Sequence, residues 1–198
     1  MLNKKIFLVL ILMNPLSLLP QEADSLVMSR KMSLCINPLG PLGGGYGGNM
    51  EFLISPHNAV LAEGAFFSGW SAFEFMGETR GHAAGIHYRY HWQPGLPTSF
   101  SGFFIKQTRQ TAKSAVVEKG EKKDMRSEIH LVHAGVNAGK KWIRKSGFTL
   151  CFRGGYGIGY TDIVIDAPEV DKDVLDILKP FMYLTSGIDL ELTAGWSF

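Results

Sequence analysis

The chain has 198 residues, 45% hydrophobic and 19% charged, with a formal net charge of +2. That balance excludes a disordered chain, and the small net charge with its dispersed bases points away from nucleic acid as a partner. Beyond the N-terminus no apolar run reaches the roughly 18 residues of a membrane-spanning helix, which excludes helical spans, and the length allows one domain.

Residues 1–23 read as a signal peptide, with Lys4 and Lys5 as the positive region, an apolar stretch over 6–19 broken at Asn14, Pro15 and Ser17, and cleavage expected after Ala23. An uncleaved anchor is the alternative. A short segment, 24–31, follows, and 32–198 read as a β-barrel. Export permits disulfides, and the chain has two cysteines, Cys35 and Cys151.

Segments of alternating polarity then recur, the period of strands with one apolar and one polar face. The first covers 32–39, with Leu34 and Ile36 opposite Cys35 and Asn37, and Pro38 kinks or ends it because proline cannot donate to a ladder. The second, 45–55, sets Tyr46, Met50 and Phe52 against Asn49 and Glu51. After a tight turn at Pro56-His57-Asn58, the third, 59–72, sets Val60, Ala62, Phe66 and Trp70 against Leu61 and Glu63. The fourth, 81–92, carries the cleanest signal: Ile86, Tyr88, Tyr90 and Trp92 face one way, His87, Arg89 and His91 the other. The fifth, 99–113, opposes Phe103 and Ile105 to Phe104 and Lys106, and the sixth, 128–142, opposes Val132, Val136 and Trp142 to His133, Asn137 and Lys141. In the seventh, 147–163, Phe148, Leu150, Tyr156 and Ile158 alternate with Thr149, Cys151, Arg153 and three glycines. The eighth, 188–198, alternates Ile188, Leu190, Trp196 and Phe198 with Asp189 and Glu191.

Eight such strands predict an all-β, antiparallel, up-and-down transmembrane barrel, apolar outside and polar within. The turns near His57, Gly95 and Lys145 are short, and the gaps at 73–80, 114–127 and 164–180 are wide, the asymmetry of periplasmic turns and external loops. Trp92, Trp142 and Trp196 fall beside the short turns and Trp70 near the opposite rim, as an aromatic girdle requires. In the last wide gap, 168–179 has the ends and the apolar face of a short amphipathic helix.

The run Asn37-Pro38-Leu39-Gly40, the strand from Tyr46 to Leu53, Gly147-Phe148-Thr149-Leu150 with Gly155-Tyr156-Gly157, and Gly195-Trp196-Ser197-Phe198 resemble a family of small bacterial outer-membrane barrels of unknown function. More broadly the chain is similar to the OmpX-, OmpW- and OmpA-type eight-stranded barrels. The resemblance implies the bacterial outer membrane as location and its lipids as surroundings. It also implies an encounter with the barrel-assembly machinery through Trp196 and Phe198, and external loops free to meet an extracellular ligand.

The inward charges are the main polar feature. The turn at Pro56-His57-Asn58 predicts Glu51 directly across from Glu63, two carboxylates that repel unless Arg89, Lys106, Lys141 or Arg153 neutralises them, with Asp189, Glu191, His87 and His91 completing a lumen network. On that expectation, exchanging one acid for glutamine relieves repulsion and costs little. His87 and His91 stand roughly 13 Å apart on a strand, too far to share a metal ion. No cofactor motif is present. Outer-membrane lipid deacylases pair His and Ser two apart on a strand, whereas His133 is followed by Gly135, so the attacking oxygen is missing. The favoured reading is a non-enzymatic barrel with a side-chain-filled lumen; a narrow channel for small or hydrophobic solutes and a lipid-modifying enzyme are the alternatives.

Overall fold

The computed structural model describes residues 29–39, 45–70, 78–118, 121–167 and 187–198, with isolated positions between 173 and 184. The strands are β1 (Met32–Ile36), β2 (Gly45–Leu53), β3 (Asn58–Trp70), β4 (Glu78–His91), β5 (Ser99–Glu118), β6 (Glu121–Ile143), β7 (Phe148–Asp166) and β8 (Ile188–Ser197). Each pairs antiparallel with the next and β1 closes on β8, giving a barrel of eight strands. Closure satisfies the ladder groups that an open sheet leaves at its edges. The period-2 pattern decides which side of the wall each residue takes: Ile86, Phe103, Ile105 and Ile158 are exposed outside, while His87, Arg89, Lys141 and Arg153 are buried inside.

The predicted register across the first short turn is corrected. Glu51 pairs with Leu61, and Glu63 with Asn49. The turn is built on Ser55, whose hydroxyl and carbonyl both accept from the Asn58 backbone N–H, at 3.2 Å each, so the last ladder pair is Leu53 with Ala59. A shift of two keeps every side chain on its face, so inward residues stay inward but Glu51 and Glu63 are not opposite each other.

The gap expected at 114–127 is also corrected: β5 and β6 continue as one long hairpin, with Glu118 paired to Glu121. The sequence there runs Glu118-Lys119-Gly120-Glu121-Lys122-Lys123-Asp124, and a run of charges carries no alternation to mark a strand. The helix expected over 168–179 falls mostly outside the described residues. The signal peptide, 1–23, lies wholly outside them, as do most of 24–31 and the segment 71–77.

The β4–β5 turn folds beneath the barrel. Gly95, with φ of +93°, donates its N–H to the Pro56 carbonyl at 2.7 Å, and the N–H of Lys141 reaches Thr98 at 3.1 Å. This carries Leu96 inside, fully buried against Ile143 and Leu53, as an apolar floor under the lumen. Leu96→Ala is expected to lower stability by about 2 kcal/mol, near the low end for a buried leucine because the cluster is small, as read by urea unfolding in lipid vesicles.

Candidate functional site

Above this floor the inward charges form two groups. In the lower, Glu51 is fully buried between three partners on two strands: Arg89 at 3.1 Å and His91 at 3.3 Å on β4, and Lys141 on β6, whose ammonium also donates to the Ser33 hydroxyl at 2.8 Å. The Arg89 guanidinium lies 4.1 Å from the centre of the Phe100 ring, a cation–π contact between two buried side chains. Phe100 fits because Gly139 on the facing strand has no side chain: a Cβ there would lie 2.6 Å from the tip of the ring.

The upper group is organised by Arg153. Its guanidinium reaches Glu63 at 2.7 Å, Asp189 at 2.8 Å and Glu191 at 2.7 Å, using its fork of donors toward three carboxylates at once. Lys106 adds contacts to Glu63 at 3.1 Å and Asp189 at 3.3 Å, and the Asn49 amide donates to the second oxygen of Glu191. The Asn137 amide lies 3.0 Å from Nδ1 of His87 and an Arg153 nitrogen 3.4 Å from it. Both are donors, so Nδ1 accepts and the ring proton sits on Nε2, which faces Glu63 at 3.2 Å. Gly85, paired with Glu63, leaves room for this carboxylate: a Cβ there would stand 3.0 Å from its Oε1.

Among the described residues the two groups together set four carboxylates against four cations. The split is uneven: the lower holds one acid, Glu51, against Arg89 and Lys141, and the upper holds Glu63, Asp189 and Glu191 against Lys106 and Arg153. All ten inward residues expected from the alternation face the interior, and the two-residue shift across β2 and β3 places Glu51 and Glu63 in different groups. Asn49 and Asn137, placed inside by the same alternation, complete the packing together with Leu96, Phe100 and Ser33; Leu96 sits in a turn with no period to mark it, and Gly139 opposite Phe100 was the available clue to that ring.

Trp92 and Trp196 are exposed on the outer surface beside the short turns, Trp142 is half-buried one residue before the end of β6, and Trp70 ends β3 at the opposite rim. Trp196 packs edge-on against Phe148 at 5.8 Å, and Phe198 is exposed beside it, its N–H bonded to Met32 at 2.8 Å. Cys35 and Cys151 are buried and free, flanking β8 opposite Gly195 and Thr193. Two strand spacings, about 9.6 Å, separate them, beyond the Cα separation of about 7 Å that a disulfide spans.

Above the upper group lies a cavity of about 440 Å³, with Glu63, Lys106, Arg153, Asp189 and Glu191 at its charged end and Thr108, Gln110 and His133 higher up. His133 hydrogen-bonds the Thr161 hydroxyl at 2.7 Å. Among the described residues the lumen is therefore filled below, and the cavity lies above.

No family model, curated protein or solved structure matches this chain. The fold defines it as a closed eight-stranded antiparallel β-barrel with a charged interior and an apolar exterior.

Proposed function

We propose that the protein is an integral barrel of the bacterial outer membrane, non-enzymatic and non-conducting, embedded in outer-membrane lipid and presenting its external loops for structural or interaction roles. One observation carries this reading: the exposed apolar side chains encircle the barrel. Ile36 on β1, Phe66 on β3, Ile86 on β4, Ile105 on β5, Ile158 on β7 and Leu190 on β8 are all at least 65% exposed. A protein-docking site is a patch on one side, whereas an apolar surface that runs all the way round calls for a surrounding solvent that is itself apolar.

The belt has limits of the right kind. Arg80, Arg126 and Glu128 stand outside it on the long-strand end, and Trp92 and Trp196 mark the short-turn end. From Phe148 to Tyr160 on β7 the wall rises about 40 Å along the strand, or about 28 Å along the normal at a tilt of about 45°, close to the apolar band of a bilayer barrel.

The account against conduction rests on the filling. The Leu96 floor and the Glu51 group block the short-turn end, and the upper cluster joins four strands across the middle. Planar bilayers holding the refolded protein are expected to show no stepwise conductance, while the same sample shows heat-modified mobility in SDS gels. Regular unitary currents would establish the channel reading instead, and a chain that folds and stays in solution without detergent or lipid would refute the membrane reading.

A further inference from the structure

The outer wall is not evenly filled. On its outward side a groove of about 1300 Å³ crosses the strands where Ala84 and Ala134 stand among Ile86, Phe103, Ile105 and Ile158. Ala134 lies in the ladder directly between Ile105 and Ile158, both at least 65% exposed, so two long side chains border a place where a methyl group stops short. The volume exceeds the roughly 300–1,000 Å³ of a small-molecule pocket, and the lining is chiefly apolar, which suits acyl chains laid along the wall better than a compact polar solute.

The same strands turn basic just beyond the groove. Gln107 borders it, level in the ladder with Val132 and Tyr160, where the apolar belt ends on β7. Two residues further along β5, Arg109 is exposed, flanked across the ladder by His82 on β4 and His130 on β6. Beyond Arg109 a pocket of about 270 Å³ opens on the same outward face, lined by Glu78, Arg80, Thr111, Lys113 and Arg126. It sets three cations against one carboxylate. Glu78 holds Arg80 at 2.8 Å and Glu128 holds Arg126 at 2.8 Å, but a guanidinium carries five N–H donors and each keeps some for another oxygen. Asp162 opposite His130 and Asp166 opposite Arg126 bound the patch on β7, so its basic centre falls on β4 to β6.

Arg109 and Lys113 are four residues apart, about 13 Å along the strand. Two basic centres at that spacing match a headgroup with two separated phosphates, each keeping its own charge-assisted contacts. A headgroup with one phosphate engages one centre and leaves the other to water.

We propose that the outward face of β4, β5 and β6 binds one lipid with a bisphosphorylated saccharide headgroup, its acyl chains in the groove, one phosphate at Arg109 and the other at Arg80, Lys113 and Arg126. The proposal rests on the membrane reading above, under which Arg109 is the first residue of β5 beyond the apolar belt and so stands at headgroup depth.

The test is native mass spectrometry of the barrel released from maltoside micelles, titrated separately with an acylated bisphosphoryl diglucosamine, its monophosphoryl form, and phosphatidylglycerol. The bisphosphorylated lipid is expected to bind one per barrel and at least about tenfold tighter than either lipid with a single phosphate. Arg109→Gln/Lys113→Gln is expected to weaken it at least about tenfold, and Lys140→Gln, near the short-turn end of β6, to leave it unchanged, with the heat-modified gel band retained in both. Equal binding of the bisphosphoryl and monophosphoryl forms would overturn the two-phosphate assignment. Unaltered binding by a folded Arg109→Gln/Lys113→Gln barrel, or an equal loss in Lys140→Gln, would overturn the site. A barrel that folds only in detergent or lipid and binds none of the three overturns this proposal and leaves the membrane reading standing, whereas a chain that folds and stays in solution without either overturns both.

Discussion

Arg153→Met is expected to destabilise the barrel by about 3–5 kcal/mol, the usual cost of removing one partner from a buried ion pair. Arg153 is 1% exposed and holds Glu63, Asp189 and Glu191 together from β3 and β8. Without it, Lys106 still meets Glu63 and Asp189, but among the described residues Glu191 keeps only the neutral Asn49 amide. The loss falls on burial of uncompensated charge more than on lost contact area, so Arg153→Lys is expected to recover part of it and Lys106→Met to cost less, its partners retaining Arg153. Urea unfolding of the three variants in vesicles reads the order. A midpoint for Arg153→Met equal to the parent's would show that this guanidinium does not carry the upper group.

Glu51→Gln is expected to be costly as well, about 3 kcal/mol, contrary to the expectation from the sequence that neutralising either acid relieves a repulsion. Glu51 and Glu63 do not face each other, and Glu51 is the single acid between Arg89 and Lys141, all three essentially without solvent. Removing its charge leaves two cations buried together. Removing Lys141 as well takes away the cation left in excess, so Glu51→Gln/Lys141→Met is expected to be more stable than the sum of its single changes implies, and a double-mutant cycle measures that coupling. Strict additivity would mean that Lys141 and Glu51 do not share a site. Glu63→Gln, at a residue closer to the open cavity, is expected to cost less than Glu51→Gln.

Much of this molecule was legible because a half-buried strand writes its two faces into alternate residues. His87, Arg89 and His91 against Ile86, Tyr88 and Tyr90 fixed the sidedness of β4, and the same reading placed Arg153, Asp189 and Glu191 inside. Partnerships were less legible, because facing survives a register shift of two: Glu51 moved from Glu63 to Leu61 without leaving the lumen, and only the hydrogen bonds of Ser55 and Asn58 decided between the two. The extension of β5 and β6 to Glu118 and Glu121 was hidden because the charged run from Glu118 to Asp124 carries no alternation. Leu96 was hidden for the opposite reason, since a single leucine in a Pro-Gly-Leu-Pro turn has no period at all and its burial depends on Ile143 and Leu53 arriving from other strands. Pro38 was read as a kink or stop for the first strand, and the last residue of β1 is Ile36, opposite Ala194.

The central claim is that the apolar outside of this barrel faces lipid and its charged inside does not. The most direct test is nitroxide accessibility in phosphatidylcholine vesicles, with a single label at Ile105 on the outer face of β5 or at Ala65 within the cavity, in a background lacking Cys35 and Cys151. The label at Ile105 is expected to collide readily with oxygen, which concentrates in the bilayer, and hardly with a polar nickel chelate, and the label at Ala65 to show the reverse preference. The same preference at both positions, or nickel collisions dominating at Ile105, would contradict the account.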